Sequence, residues 1–137
     1  MKWAKDRQSL ETYVDGLNLG LPIAWENVSY NPVAGNPFLR VMHFPVDTDK
    51  LTIGNAGLMD SDGIMVLGLN YPAGMGSGDA LEKADAISAA FLVGQSIAAD
   101  DGYIVFRRCT LEPKEASSDP DWWVLPVMVF YNAYHHY

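Results

Sequence analysis

Apolar residues stand at odd and even positions alike through Ile64 to Tyr71, and again through Trp122 to Tyr134. Runs of this kind, bounded by turn-forming residues, read as strands with apolar surroundings on both faces. Phe38 to Phe44 reads as another strand, ended by Pro45, because a proline has no N–H to give to a ladder. Tyr103 to Glu112 reads as a further strand, and Leu21-Pro22-Ile23-Ala24-Trp25-Glu26 as a shorter candidate. Elsewhere the period is helical. Trp3, Leu10, Val14 and Leu17 fall on one stripe of a helix over 3–17, with Lys2, Lys5, Asp6, Arg7 and Glu11 around it and Gly16 and Gly20 at its end. Leu81, Ala84, Ile87 and Phe91 form the stripe of a second helix, from Leu81 to about Ala98. Before it, Asp79-Ala80-Leu81-Glu82 has the form of a capping box: Asp79 accepts from the backbone N–H three residues on, and Glu82 reaches back.

Between these elements lie three polar or broken stretches. Asn31 to Pro37 holds two prolines and a glycine and is a loop. Val46 to Gly63, rich in Asp, Gly, Asn and Ser, reads as a long loop in which Thr52-Ile53 pairs briefly at most. The 113–121 stretch is a polar turn joining the last two strands as a hairpin. Pro126 inside the last strand predicts an edge position or a bulge. The order is helix, strand, strand, strand, helix, strand, strand. It predicts one α+β domain over 1–137: a mainly antiparallel four- to five-stranded sheet with two helices packed on one face. The two-sided apolar strands leave the second face to be covered, either by a loop or by a partner.

Charge narrows the class. Nine Lys and Arg against 17 Asp and Glu leave a net charge of −8. Arg107-Arg108 is the densest basic cluster, too little to grip a nucleic-acid backbone. A single cysteine, Cys109, excludes an internal disulfide and fits a reducing compartment. Met1 to Gln8 lacks the apolar stretch of a signal peptide, and the apolar run Trp122 to Tyr131 is about half the ~20 residues a spanning helix needs. A soluble protein without a cleaved signal is expected.

Candidate chemistry is thin. Strand, Tyr71-Pro72-Ala73-Gly74-Met75-Gly76-Ser77-Gly78-Asp79, helix is the layout of a phosphate-binding turn. No lysine follows its glycines before Lys83, and the third glycine of a dinucleotide fingerprint is replaced by Asp79. A carboxylate at a helix start repels a phosphate, so a structural corner is expected. His135-His136 point to opposite faces in an extended chain, and His43 sits alone in its strand, so no metal ligand set forms. Cys109 reads as a small buried hydrophobe, and no Gly-x-Ser-x-Gly elbow is present. Asp47, Asp49, Asp60 and Asp62 lack the spacing of a calcium loop. Asn27-Val28-Ser29 matches a glycosylation acceptor in form alone.

Several segments carry a resemblance. Leu21-Pro22-Ile23-Ala24-Trp25-Glu26-Asn27, Phe38-Leu39-Arg40-Val41, Gly63 opening an apolar strand, Tyr71-Pro72-Ala73-Gly74-Met75-Gly76 with a helix ending near Phe91, and Trp122-Trp123-Val124-Leu125-Pro126-Val127 with Tyr131 follow one another over Leu21 to Tyr134. In that order they resemble the tail terminator proteins of long-tailed bacteriophages, the lambda-type family. Where relatives often carry a basic residue just before the glycine corresponding to Gly63, this chain has Asp60 and Asp62. The resemblance implies a homohexameric ring on the head-proximal end of the tail tube. The ring stops polymerisation of the major tail tube protein, offers a surface to head-completion or connector proteins, and lets the genome DNA pass without specific binding. It implies no catalysis, cofactor or membrane partner, and a place at the head–tail junction of the virion after assembly in the host cytoplasm. A head–tail connector or stopper protein, and more remotely a small nucleotide-binding enzyme, stay open as alternatives.

A closed ring is built head to tail, with two different patches on each subunit. Trp123, Leu125, Val127, Val129 and Tyr131 of the last strand are the expected subunit interface. Asp47, Asp49, Lys50, Asp60 and Asp62 of the long loop, with Lys114 and Glu115 of the 113–121 turn, are the expected contacts to tube or connector.

Overall fold

The computed structural model describes residues 3–50, 57–99, 102–112 and 121–136. The elements are α1 (Trp3–Asp15), β1 (Ile23–Ala24), β2 (Phe38–Lys50), β3 (Leu58–Pro72), α2 (Gly78–Ala90), β4 (Ser96–Ala99), β5 (Gly102–Leu111) and β6 (Trp122–His136). The strands form one curled six-stranded sheet in the order β1-β2-β3-β6-β5-β4. Every pair is antiparallel except β1 with β2. The α+β class holds, but the expected four- to five-stranded antiparallel sheet is replaced by a larger, mixed one.

Two elements account for that difference. β1 joins β2 in parallel, at Ile23 opposite Leu39, because the intervening residues 25–37 are long enough to carry the chain back to the same end of the sheet. β4 takes residues assigned to the second helix. That helix ends at Ala90, Phe91 N–H closes its last turn on the Ile87 carbonyl, and Gly94 at φ 88° turns the chain into β4.

The expected long loop over Val46 to Gly63 is largely strand. β2 continues through Pro45 by a bulge between Pro45 and Asp47, and β3 starts at Leu58. Asp47 then stands opposite Asp62, Thr48 opposite Ser61, Asp49 opposite Asp60 and Lys50 opposite Met59. Thr52-Ile53 lies outside the described residues. Pro126 does not put its strand at an edge, since β6 lies between β3 and β5. Its carbonyl accepts from Glu112 N–H on the β5 side, so its missing N–H also faces that side, just where β5 ends. The ladder with β3 loses nothing.

Register divides the side chains between two faces. Leu39 and Val41 of β2, Met65, Leu67, Leu69 and Tyr71 of β3, and Leu125, Val127, Val129 and Tyr131 of β6 share one face and are buried. Leu10 and Val14 of α1 and Ala80, Ala84 and Ile87 of α2 belong to the same core, so both helices cover this face, as expected. Tyr13, Phe91 and Phe106 lock it with ring contacts of 4.8–5.8 Å. The opposite face carries Met42, Phe44, Ile64, Val66, Val124, Met128 and Phe130, and no helix covers it among the described residues.

Candidate functional site

The glycine corner is a joint. Gly74 and Gly76 take φ of 88° and 76°, which L side chains adopt only at a cost, and Ala73 N–H donates to the Asp121 carbonyl at 2.9 Å. The capping box is not formed. Ser77 is the N-cap and makes no side-chain cap bond, while Asp79 lies one position inside the first turn. The Asp79 carboxylate instead accepts the Tyr71 hydroxyl proton at 2.5 Å, tying the end of β3 to the start of α2. Burial, then this carboxylate, push the Tyr71 pKa upward. The corner's positive helix end is thus occupied by the chain's own carboxylate.

The histidines serve the α1–sheet junction. His135 is buried and its Nε2 lies 2.5 Å from Asp6 Oδ1, while His136 is exposed. Burial raises the Asp6 pKa, against the lowering effect of His135. His43 is also buried. Its backbone N–H donates to Glu26 at 2.6 Å, its Nε2 lies 3.7 Å from Glu11, and neither ring nitrogen has a hydrogen-bond partner among the described residues. Burial lowers its pKa, opposed by Glu11 and Glu26. A cavity of about 190 Å³ lies beside it, lined by Trp3, Arg7, Glu26, Pro45 and Tyr131 among others. Burial, then Asp6, raise Tyr131 to about 12. Cys109 is half-buried against the core, and burial pushes its thiol up, away from nucleophilic use. Among the described residues no group of three or more His, Cys, Asp or Glu could hold a metal ion.

What remains is the open sheet face. It is apolar at its centre and flanked by charge. Arg108 lies over the Phe130 ring, 4.1 Å from its centroid, and Arg40 over Phe38 at 5.5 Å. Toward the other end Asn132 is buried, and its Nδ2 donates to both Asp60 and Asp62. Phe44 and Tyr103 remain nearly half exposed, at 49% and 43%.

Of the residues expected at an interface, Leu125, Val127, Val129 and Tyr131 lie in the core under the helices, and Trp123 packs against it half-buried. The chain itself covers them. The alternate residues of the same strand, Val124, Met128 and Phe130, face the other way. Asp60 and Asp62 lie on the open face beside Asn132. The side chains of Asp47, Asp49 and Lys50, and all of Lys114 and Glu115, lie outside the described residues. The Arg108–Phe130 stack escapes sequence reading because β5 bulges between Phe106 and Arg108, which puts Arg108 and not its neighbour over Phe130.

A family model described as phage tail terminator protein matches residues 7–131. Eleven solved chains match this one. One of them superposes with a TM-score of 0.75 at 20% sequence identity, covering 97% of this chain and 96% of that chain. No curated protein matches.

Proposed function

This chain belongs to the phage tail terminator protein family, and from that premise we propose that it forms a hexameric ring on the head-proximal end of the tail tube. Membership makes it a structural protein of the phage tail, with other tail or head proteins as its partners. In the proposed role the ring stops growth of the major tail tube protein and presents a surface to the head-completion proteins. The observation that carries the reading is the family match across almost the whole chain.

The open sheet face supports it. Half-buried Val66, Met128 and Phe130 form an apolar surface with no helix over it among the described residues, as a ring subunit needs toward its neighbours. The interface role expected of β6 passes to these outward positions. The net charge of −8 suits a lumen that the genome crosses without sticking. A ring structure with a basic lumen and its acids outside would contradict that part.

Met128→Asp and Phe130→Asp test the surface directly. Each puts a carboxylate on the open face without touching the helix-covered core, so the expected result is a folded chain that no longer forms rings by negative-stain microscopy. Rings that persist with both variants would remove this face from the assembly.

A further inference from the structure

Each flank of the sheet ends in a half-covered strand, and the two flanks differ in charge. On one side β1 pairs with β2 only at Leu39 and Arg40. From Phe44 to Lys50 the outer edge of β2 has no strand beside it among the described residues. On the other side β4 and Gln95 cover β5 from Gly102 to Phe106; past the bulge at Arg107, Arg108 to Leu111 pair with β6 alone among the described residues. Open edges of this kind invite another chain.

In sequence the open stretch of β2 carries Asp47 and Asp49, and Asp60 and Asp62 of β3 stand beside it. Asp47 stands opposite Asp62 and Asp49 opposite Asp60. Within the described residues Asp60 and Asp62 meet the amide of Asn132 and no cation. The β5 edge is basic. Arg107 and Arg108 are exposed, and neither meets a carboxylate among the described residues. Apolar side chains flank both: Phe44 and Val46 are 49% and 63% exposed on the first edge, Leu111 49% on the second.

Direction fits as well. β2 and β5 run opposite ways, since three antiparallel pairings separate them. Copies set side by side in one orientation therefore bring β5 of one antiparallel to β2 of the next. The open halves lie toward opposite ends of the sheet, so such copies are staggered along their strands.

We propose that copies of this chain join edge to edge, the acidic Phe44–Lys50 edge of β2 docking on the basic Arg107–Leu111 edge of β5 in the next copy. The inference rests on the ring reading above and adds to the open face a pair of complementary edges, the two different patches of a head-to-tail ring. It makes the contact heterologous, because the two edges differ.

Charge reversal tests it. R107E/R108E makes both edges acidic, and D60K/D62K turns the acidic side basic, so that both edges are basic. Each variant alone should self-associate at least about tenfold more weakly than the natural chain in sedimentation at moderate salt. An equimolar mixture of the two should recover rings, because acidic and basic edges then alternate around an even-numbered ring. Thermal melting checks the fold. D60N/D62N keeps amide oxygens for the Asn132 Nδ2 and should weaken association without recovery on mixing. Rings as stable as the natural ones in R107E/R108E, or a mixture no better than its components, would overturn the pairing while leaving the ring reading intact. A natural chain that never forms a ring, alone or on tail tubes, would overturn the ring reading and the pairing with it.

Discussion

Gly63 stands opposite Tyr131 in the β3–β6 ladder, and the tyrosine ring lies across the space a side chain would fill. A Cβ at Gly63 would overlap the Tyr131 hydroxyl. Gly63→Ala should therefore cost about 1–3 kcal/mol in urea unfolding, as overpacking does, and Tyr131→Leu in the same chain should return part of it. An alanine without cost would mean that the ring packs elsewhere. His43 supplies a pH-dependent contribution. Burial holds its pKa below the ordinary 6.5, so the unfolded chain takes the proton first. The stability it supplies is complete above that value and is lost as pH falls through its depressed pKa. Between ~pH 7.5 and ~pH 5 the natural chain should lose more stability than His43→Gln does, by denaturant unfolding. Equal losses would show that His43 is indifferent to the fold.

At the scale of elements, α2 separates the two ways its sequence can be read. Leu81 and Ala80 both fit a helical stripe, and hydrophobicity alone favours the leucine. The structure buries Ala80 and Ala84 and leaves Leu81 42% exposed, because small side chains let the helix approach the sheet closely. Leu81→Asp should change unfolding free energy by no more than about 0.5 kcal/mol, whereas Ile87→Ala should cost about 2–5 kcal/mol. The reverse ranking would turn the helix over. The long apolar strands and both helices were legible because burial leaves a periodic trace. The outer half of β2–β3 was not: Asp47, Thr48 and Asp49 pair with Asp62, Ser61 and Asp60, and polar residues on both partners imitate a loop. Ser96-Ile97-Ala98-Ala99 of β4 was lost for a related reason, since alanines continue a helical pattern past Gly94. The β6 residues expected at an interface are apolar, as an interface asks. Which of its two faces the helices cover is decided by tertiary packing, and no residue of β6 states it.

For the molecule as a whole, composition and topology converge on work done by surfaces. The glycine corner holds its own carboxylate, burial pushes the Cys109 thiol up, and the buried histidines sit at the seam between α1 and the sheet. Among the described residues the least covered features are a broad apolar sheet face and the two strand edges beyond β1 and β4. Such a subunit suits a closed ring better than a solitary domain. In the proposed role the ring ends tail-tube growth. The most direct test of that role is the length distribution of tail tubes, by electron microscopy, in an assembly reaction with and without this protein. The account predicts tubes of one length with the protein and overlong, unregulated tubes without it. An unchanged length distribution in its absence would contradict it.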